Sequence, residues 1–236
     1  MFIQRGKELN IMIKAILLDV DNTLIDFNKS AEWSIRKCFE EYGLEFTEDV
    51  LPTFHRINDE LWYRIEQGTI TKPELHKIRW QTIFDALGIK ENGEEFEKRF
   101  VEYVPQAGIP VEGAKELLEY LSEKYIICFA SNSSKEQQYI KLTKADMLRY
   151  AKHLFISDEI GFAKPAREFF DACMEKLKSV SKEQVIIIGD SLTADIAGGV
   201  NYGIKTVWFN FKKGNVPQNL KADYIVNNLS EVKLIL

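Results

Sequence analysis

The sequence predicts a Rossmann-like α/β fold, a doubly wound parallel sheet that carries an inserted all-helical cap. Three observations predict it. Apolar, β-rich runs recur along the chain, and several are continuous rather than alternating, the pattern of strands buried on both faces of a parallel sheet. From Pro110 onward, segments of helical character separate those runs, which calls for right-handed crossovers. Between the first run and the second lies a long stretch with no convincing strand.

Taken in order, the first strand is Ile13–Leu18, and it runs directly into DVDNTLID, residues 19–26. The strandless stretch follows. Val50, Phe54, Ile57, Leu61 and Ile65 recur at steps of three and four, one apolar face of a helix. Gly68 ends that helix, and Thr71–Glu74 (TKPE) reads as a capping box that starts the next. The stretch closes at VPQAGIP, residues 104–110, whose prolines and glycine suggest a linker. The domain reading is a catalytic core of residues 1–26 and 108–236, with residues 27–107 as the cap. Within the core, helix Val111–Glu123 leads to strand Tyr125–Ala130, and helix Lys135–Ala145 to strand Leu154–Ile156. Helix Arg167–Lys178, strand Val185–Ile188, helix Ala194–Asn201 and strands Thr206–Phe209 and Tyr224–Val226 complete it. Gly198 and Gly199 cost about 1 kcal/mol each inside a helix, so close helix–sheet packing is the expected reason for them.

Bulk properties narrow the function. The chain has 236 residues with 45% hydrophobic and 28% charged content, ample for a core. A net charge of −5 argues against a nucleic-acid polymer as partner. No stretch approaches a membrane span, and the start has no signal-peptide pattern. Three cysteines, Cys38, Cys128 and Cys173, without a CxxC pair, favour a reduced, cytoplasmic compartment, with Cys128 a core residue. Residues 1–11 read as a leader or a start-site artefact, since Met12 immediately precedes the first strand.

Ligands of open α/β sheets bind beyond the carboxyl ends of the strands. After the first strand come Asp19, Asp21 and Thr23; after the second, Ser131 and Asn132. Lys164 follows the third in GFAKP, and Asp190, Ser191 and Asp195 follow the fourth in IIIGDSLTAD. Three carboxylates, a hydroxyl and a lysine suit phosphoryl transfer. Hard oxygen ligands suit Mg²⁺, which shares its coordination with a phosphate. One carboxylate can attack phosphorus, and a second can protonate the leaving oxygen and then activate water. A lysine and a hydroxyl can hold the phosphoryl oxygens.

With these residues in place, the chain resembles the haloacid dehalogenase superfamily of phosphatases. DVDNT, the strand-end SN, the GFAKP lysine and GDSLTAD follow one another as that superfamily's four motifs, and the resemblance spans about Ile13 to Phe211. It implies Asp19 as nucleophile and Asp21 as general acid/base. It also implies Mg²⁺ held by Asp19, Asp190 and the Asp21 main-chain carbonyl, with Asp195 as an outer partner. Ser131, Asn132 and Lys164 would bind phosphate, and Lys164 would offset the charge of Asp19. Within the superfamily the chain is similar to the branch acting on pyrimidine 5′-monophosphates, through LWYRIEQGTITKPELHKIRW, ASNSSKEQQYIKL and GDSLTADIAGGVNYGIKTVWFN. Asn22 stands where glycine is commoner, and Ser131 where threonine is common. The implied activity is Mg²⁺-dependent hydrolysis of nucleoside 5′-monophosphates, or of sugar phosphates of the phosphoglycolate type. A phosphomutase and a 2-haloacid dehalogenase are the other readings of the same fold, and a non-catalytic binding module is the last. The partner would be a small phosphorylated metabolite and the protein a monomer or homodimer.

Each motif also has a plainer reading. Asp19 and Asp21 could mark a turn, Ser131 a polar strand end, Lys164 a solvated lysine held extended by Pro165, and Asp190 with Ser191 helix caps. Ser133–Glu136 (SSKE) is itself a capping box. Four such explanations, in order, at successive strand ends are the less economical account. His55, His76 and His153 share no metal spacing and read as structural or exposed. Trp62 and Tyr63 flank the apolar stripe of the cap helix, where core packing is the first reading and substrate selection the second.

Overall fold

A computed structural model describes residues 12–236. The leader reading of residues 1–11 lies outside the described residues. The described chain divides into two compact units: the residues up to Phe27 with Gly108–Leu236, and Asn28–Ala107.

The first unit is built on six strands: β1 (Ala15–Leu18), β2 (Ile126–Ser131), β3 (His153–Ile156), β4 (Val185–Gly189), β5 (Lys205–Phe209) and β6 (Tyr224–Val226). Neighbours are parallel, in the order β3-β2-β1-β4-β5-β6. β1 is therefore central, and the order reverses beside it. Its four residues are buried because alternate side chains enter two cores. Ile16 and Leu18 join Ile127, Phe129, Ile186 and Ile188 on one face. Ala15 and Leu17 join Cys128, Ile187 and the Phe169–Phe170 pair on the other. This is why these strands read as continuous apolar runs.

Helices α5 (Ala114–Ser122), α6 (Lys135–Lys144), α7 (Ser157–Ile160), α8 (Arg167–Lys176) and α9 (Ala197–Tyr202) connect the strands. The helix expected over Ala194–Asn201 divides into a wide π-helical turn, Leu192–Ile196, and α9. The helix–sheet packing expected at its glycines is present at Gly199, whereas Gly198 packs against helix α8 instead. A Cβ on Gly199 would lie 2.7 Å from methyls of Ile187 and Thr206, and one on Gly198 would lie 2.8 Å from the Phe170 ring. Cys38, Cys128 and Cys173 are free and buried.

The second unit holds α2 (Val50–Glu66), α3 (Lys72–Leu87), α4 (Gly93–Ala107) and nearly all of α1 (Phe27–Tyr42). The capping box forms: Thr71 Oγ1 accepts from the Glu74 main chain, and the Thr71 main chain donates to Glu74 Oε2 at 2.7 Å. Two expectations are corrected. Val104–Ala107 belongs to α4 rather than to a linker, because Pro105 is tolerated in the last turn and Val104 is buried. Tyr63 does not pack the core, being 54% exposed, whereas Trp62 is half-buried.

An aromatic cluster of Phe39, Phe54, Trp80, Phe84, Phe96 and Phe100 fills this unit, with the Trp80 and Phe96 rings 4.3 Å apart. One ion pair is buried beside it. The Arg79 guanidinium donates twice to Glu97 and, at 2.9 Å, to Asn58 Oδ1, and it lies over the Phe100 ring. His76 Nδ1 is 2.7 Å from Glu97 Oε1. Burial acts to raise the Glu97 carboxyl, but the charge of Arg79 and the bonds from His76 and Arg79 outweigh it and hold it below the usual carboxylate range. The pair therefore contributes stability above pH 4.5, which is lost as pH falls through the depressed value. Glu97→Gln should cost about 3–5 kcal/mol, because it strands a buried guanidinium. Urea denaturation at pH 7 checks this, and a loss under about 1 kcal/mol would show the pair to be solvated.

Candidate active site

The site forms where β1 ends. Asp19 N still donates to Ile188 O at 2.9 Å, so the ladder carries the chain one residue past the strand and fixes the Asp19 main chain. The chain then turns. Val20 O accepts from the main chains of Leu24 and Ile25, each at 2.8 Å. Asn22 occupies the left-handed region at φ 61°, which explains both why glycine is common there and why asparagine is tolerated. Its side chain also accepts from Phe27 N at 3.1 Å, holding the turn shut. Leu24 and Asp26 then pair with Val111 and Ile109, so the outgoing and returning chain are tied together beside the turn.

Lys164 is the hub. Its ammonium donates to Asp19 Oδ1 at 2.7 Å, Asp195 Oδ1 at 2.7 Å and Ala130 O at 2.6 Å. All three N–H bonds are committed, and the side chain is 2% exposed, so it is no solvated lysine. Asn132 places it: its amide exchanges two 2.8 Å bonds with the Lys164 main chain. Both polar ends of Asn132 are thereby engaged on the Lys164 main chain.

Carboxylate oxygens of Asp19, Asp190 and Asp195 lie within 4.8 Å of one another. Asp195 is the most buried of the three, with Oδ2 accepting from Ser191 N at 3.1 Å. The glycine of GDSLTAD follows from this, since a Cβ on Gly189 would fall on the Asp195 carboxylate. Trp208 Nε1 donates to Asp190 O at 2.9 Å and pins the β4 end. One ammonium faces three acids, and the electrostatics reflect it. Desolvation pushes Asp19 up to about 7, with Asp195 and Asp21 adding and Lys164 opposing. Desolvation, then Asp19 and Asp195, raise Asp190 well above its ordinary value. Lys164 is itself raised, because the attraction of Asp19 and Asp195 exceeds the desolvation that opposes it.

Asp21 has separate partners. Its oxygens accept from Gln138 Nε2 and Lys141 Nζ, each at 2.6 Å. Gln138 Nε2 also donates to Ser131 Oγ at 3.0 Å, and Ser133 N donates to the same oxygen at 3.1 Å. With both lone pairs of Ser131 Oγ taken, its O–H remains to act as a donor. The capping serine of α6 is Ser134, one residue beyond the expected Ser133, and it accepts from Gln137 N.

These are hard oxygen donors and two buried ammonium groups, Lys164 and Lys141, gathered beyond the carboxyl ends of parallel strands. A sequence profile for haloacid dehalogenase-like hydrolases matches residues 13–203. The chain belongs to this family. It is 31% identical to the HAD-hydrolase YfnB of Bacillus subtilis over 224 residues, 94% of this chain and 95% of that one. It is 32% identical to the pyrimidine 5′-nucleotidase PynA of Streptococcus pneumoniae over 198 residues, 84% of each chain. The magnesium-bound crystal structure of YfnB superposes with a TM-score of 0.90 at 29% identity, over 95% of this chain and 99% of that one.

The family motifs therefore meet as the sequence order suggests: Asp19, Lys164, Asp190 and Asp195 in one cluster, Asp21 and Ser131 in a second joined by Gln138. Trp62 and Tyr63 belong to the helical unit. Gln138 and Lys141 are the site residues that sequence reasoning missed. Their signal was a spacing of three on α6, which places both on one helix face directly after a strand-end motif.

Proposed function

We propose that the chain is a Mg²⁺-dependent phosphomonoesterase that acts through an aspartyl-phosphate, with nucleoside 5′-monophosphates, pyrimidines preferred, as substrates. One observation carries this reading: two carboxylates two residues apart are held by two different buried lysines. Asp19 sits on Lys164 among acids, and Asp21 sits on Lys141 apart from them. Neighbouring carboxylates in different surroundings suit different tasks.

In this reading an Asp19 oxygen attacks phosphorus as the ester P–O bond breaks, and Asp21 gives its proton to the leaving oxygen. Asp21, now ionised, takes a proton from water as that water attacks the phosphoryl group. The bond to Asp19 breaks, and inorganic phosphate leaves. The Ser131 O–H donates to a phosphoryl oxygen, and Lys164 offsets the charge of Asp19. The acid cluster fits a divalent cation, since its oxygens converge and its charge exceeds what Lys164 neutralises. Asp19, Asp190 and the Asp21 carbonyl would hold Mg²⁺, with Asp195 behind them. The ion would neutralise and orient the phosphoryl group. The nucleotide preference rests on the likeness to PynA, and magnesium on the likeness to YfnB. The helical unit is read as the cap that selects the leaving group, with half-buried Trp62 and exposed Tyr63 as its candidate contacts.

Phosphate release from a panel of nucleoside monophosphates and sugar phosphates, with Mg²⁺ and after chelation, tests the reading. The expected result is preferential release from pyrimidine monophosphates, reduced at least about a hundredfold by metal removal. Equal release from all esters would withdraw the nucleotide claim. Halide release from a 2-haloacid without metal, and no phosphate from any ester, would replace it with the dehalogenase reading.

A further inference from the structure

Asp21 is held by residues that belong to none of the four motifs. Each carboxylate oxygen has its own donor, Lys141 Nζ on Oδ1 and Gln138 Nε2 on Oδ2. Both donors project from one turn of α6, and neither is explained by folding alone. Lys141 is 2% exposed, although lysine is almost never fully buried. Its ammonium meets the Asp21 carboxylate and the face of the Phe27 ring, 5.8 Å from its centroid. Gln138 is fully buried, and its Oε1 has no hydrogen-bond partner among the described residues. Reversing the amide would set that oxygen against the Asp21 carboxylate, so Asp21 dictates its orientation, and the fold bears the cost of an unsatisfied buried acceptor. The same Nε2 reaches Ser131 Oγ, so one amide links the carboxylate to the hydroxyl.

We propose that Lys141 and Gln138 are positioning residues that fix the Asp21 carboxyl relative to the Ser131 hydroxyl, and so set where a proton reaches the leaving oxygen. This rests on the reading of Asp21 as the acid/base of a phosphomonoesterase. The consequence is selectivity between leaving groups. An alkoxide leaving from a nucleotide must receive a proton as the P–O bond breaks, whereas p-nitrophenolate leaves without one. A loosened Asp21 therefore slows the nucleotide and spares the aryl ester. The ratio of their kcat/KM values isolates this, because attack of water on the aspartyl-phosphate comes later and is common to both.

The experiment measures kcat/KM with Mg²⁺ for uridine 5′-monophosphate and p-nitrophenyl phosphate in wild type, Asp21→Asn, Lys141→Met and Gln138→Met, with a thermal melt of each. Asp21→Asn should lower the nucleotide-to-aryl ratio by about a hundredfold or more, the scale of general acid catalysis. Lys141→Met should lower it in the same direction by about tenfold. A folded Lys141→Met with an unchanged ratio, or with equal losses on both esters, overturns the assignment. If Lys141→Met has no cooperative melt, Gln138→Met is read by the same criterion. A ratio that Asp21→Asn leaves unmoved instead overturns the acid role of Asp21. A wild type that turns over neither ester overturns the phosphatase reading.

Discussion

Asp19→Asn should abolish phosphate release, with a fall of about four orders of magnitude or more, the scale seen when a covalent nucleophile is removed. It should also leave the metal-free protein as stable as the wild type, or more stable. The two expectations come from one geometry. Asparagine keeps the shape and an oxygen for the 2.7 Å bond from Lys164, but loses the charge that attacks. That charge is one of three crowded within 4.8 Å around a single ammonium. Desolvation and the other acids lift Asp19 from 3.8 to about 7, so its ionised form is costly in the folded state. For an acid raised on folding, the contribution to stability is full below 3.8 and is lost as pH rises to about 7. In chelator at pH 8, the wild type carries that penalty and the variant does not. Each kcal/mol regained raises Tm by about 2–4 °C in a chain of this size. Phosphate release and a thermal melt on the same preparation check both. A variant that loses activity and melts lower would trace the loss to misfolding rather than to the missing nucleophile.

What the sequence disclosed, and what it hid, follows from how residues advertise their surroundings. β1 was legible because burial on both faces demands an unbroken apolar run, and Ala15–Leu18 has no other plausible fate. Asp19, Asp21, Lys164 and Asp190 were legible because they punctuate such runs, where polar residues have few structural reasons to stand. Lys141 and Gln138 were not. They sit in KEQQYIKLTK, a polar helix in which lysine and glutamine are the default of a solvated face. Only the tertiary fold turns one turn of it inward onto Asp21. Arg79 and Glu97 hid for the same reason, eighteen residues apart on two helices, each ordinary in its own segment. Pro105 misled in the opposite direction. It read as a breaker, yet α4 carries it in its last turn. Asp195 was legible as part of GDSLTAD, but its bond to Lys164 was not: the two stand thirty-one residues apart, with Asp195 in the π-helical turn Leu192–Ile196.

Lys164→Met should be the most damaging substitution to stability and activity together, and the damage should depend on pH. The methionine matches the volume but makes none of the three bonds, to Asp19, Asp195 and Ala130 O. Breaking a buried ion pair from one side costs about 3–5 kcal/mol, and here two paired carboxylates are stranded at once. Activity should fall at least about a hundredfold, since the charge that balances Asp19 is gone. Lys164 itself is raised on folding, so its contribution is full below 10.5 and lost only in strong alkali. It is therefore constant between pH 5 and pH 8, and any pH dependence in the variant must come from the acids left behind. Without the ammonium, those acids hold their protons to higher pH than Asp19 does in the wild type. The folded variant binds more protons than its unfolded chain across this window, so its stability falls as pH rises. In chelator, the deficit relative to wild type should be larger at pH 8 than at pH 5, and added Mg²⁺ should narrow it by supplying the missing positive charge. Urea denaturation at the two pH values measures this. Equal deficits at both would mean that Lys164 acts by packing alone and that the Asp19, Asp190 and Asp195 cluster is not charged in the folded protein.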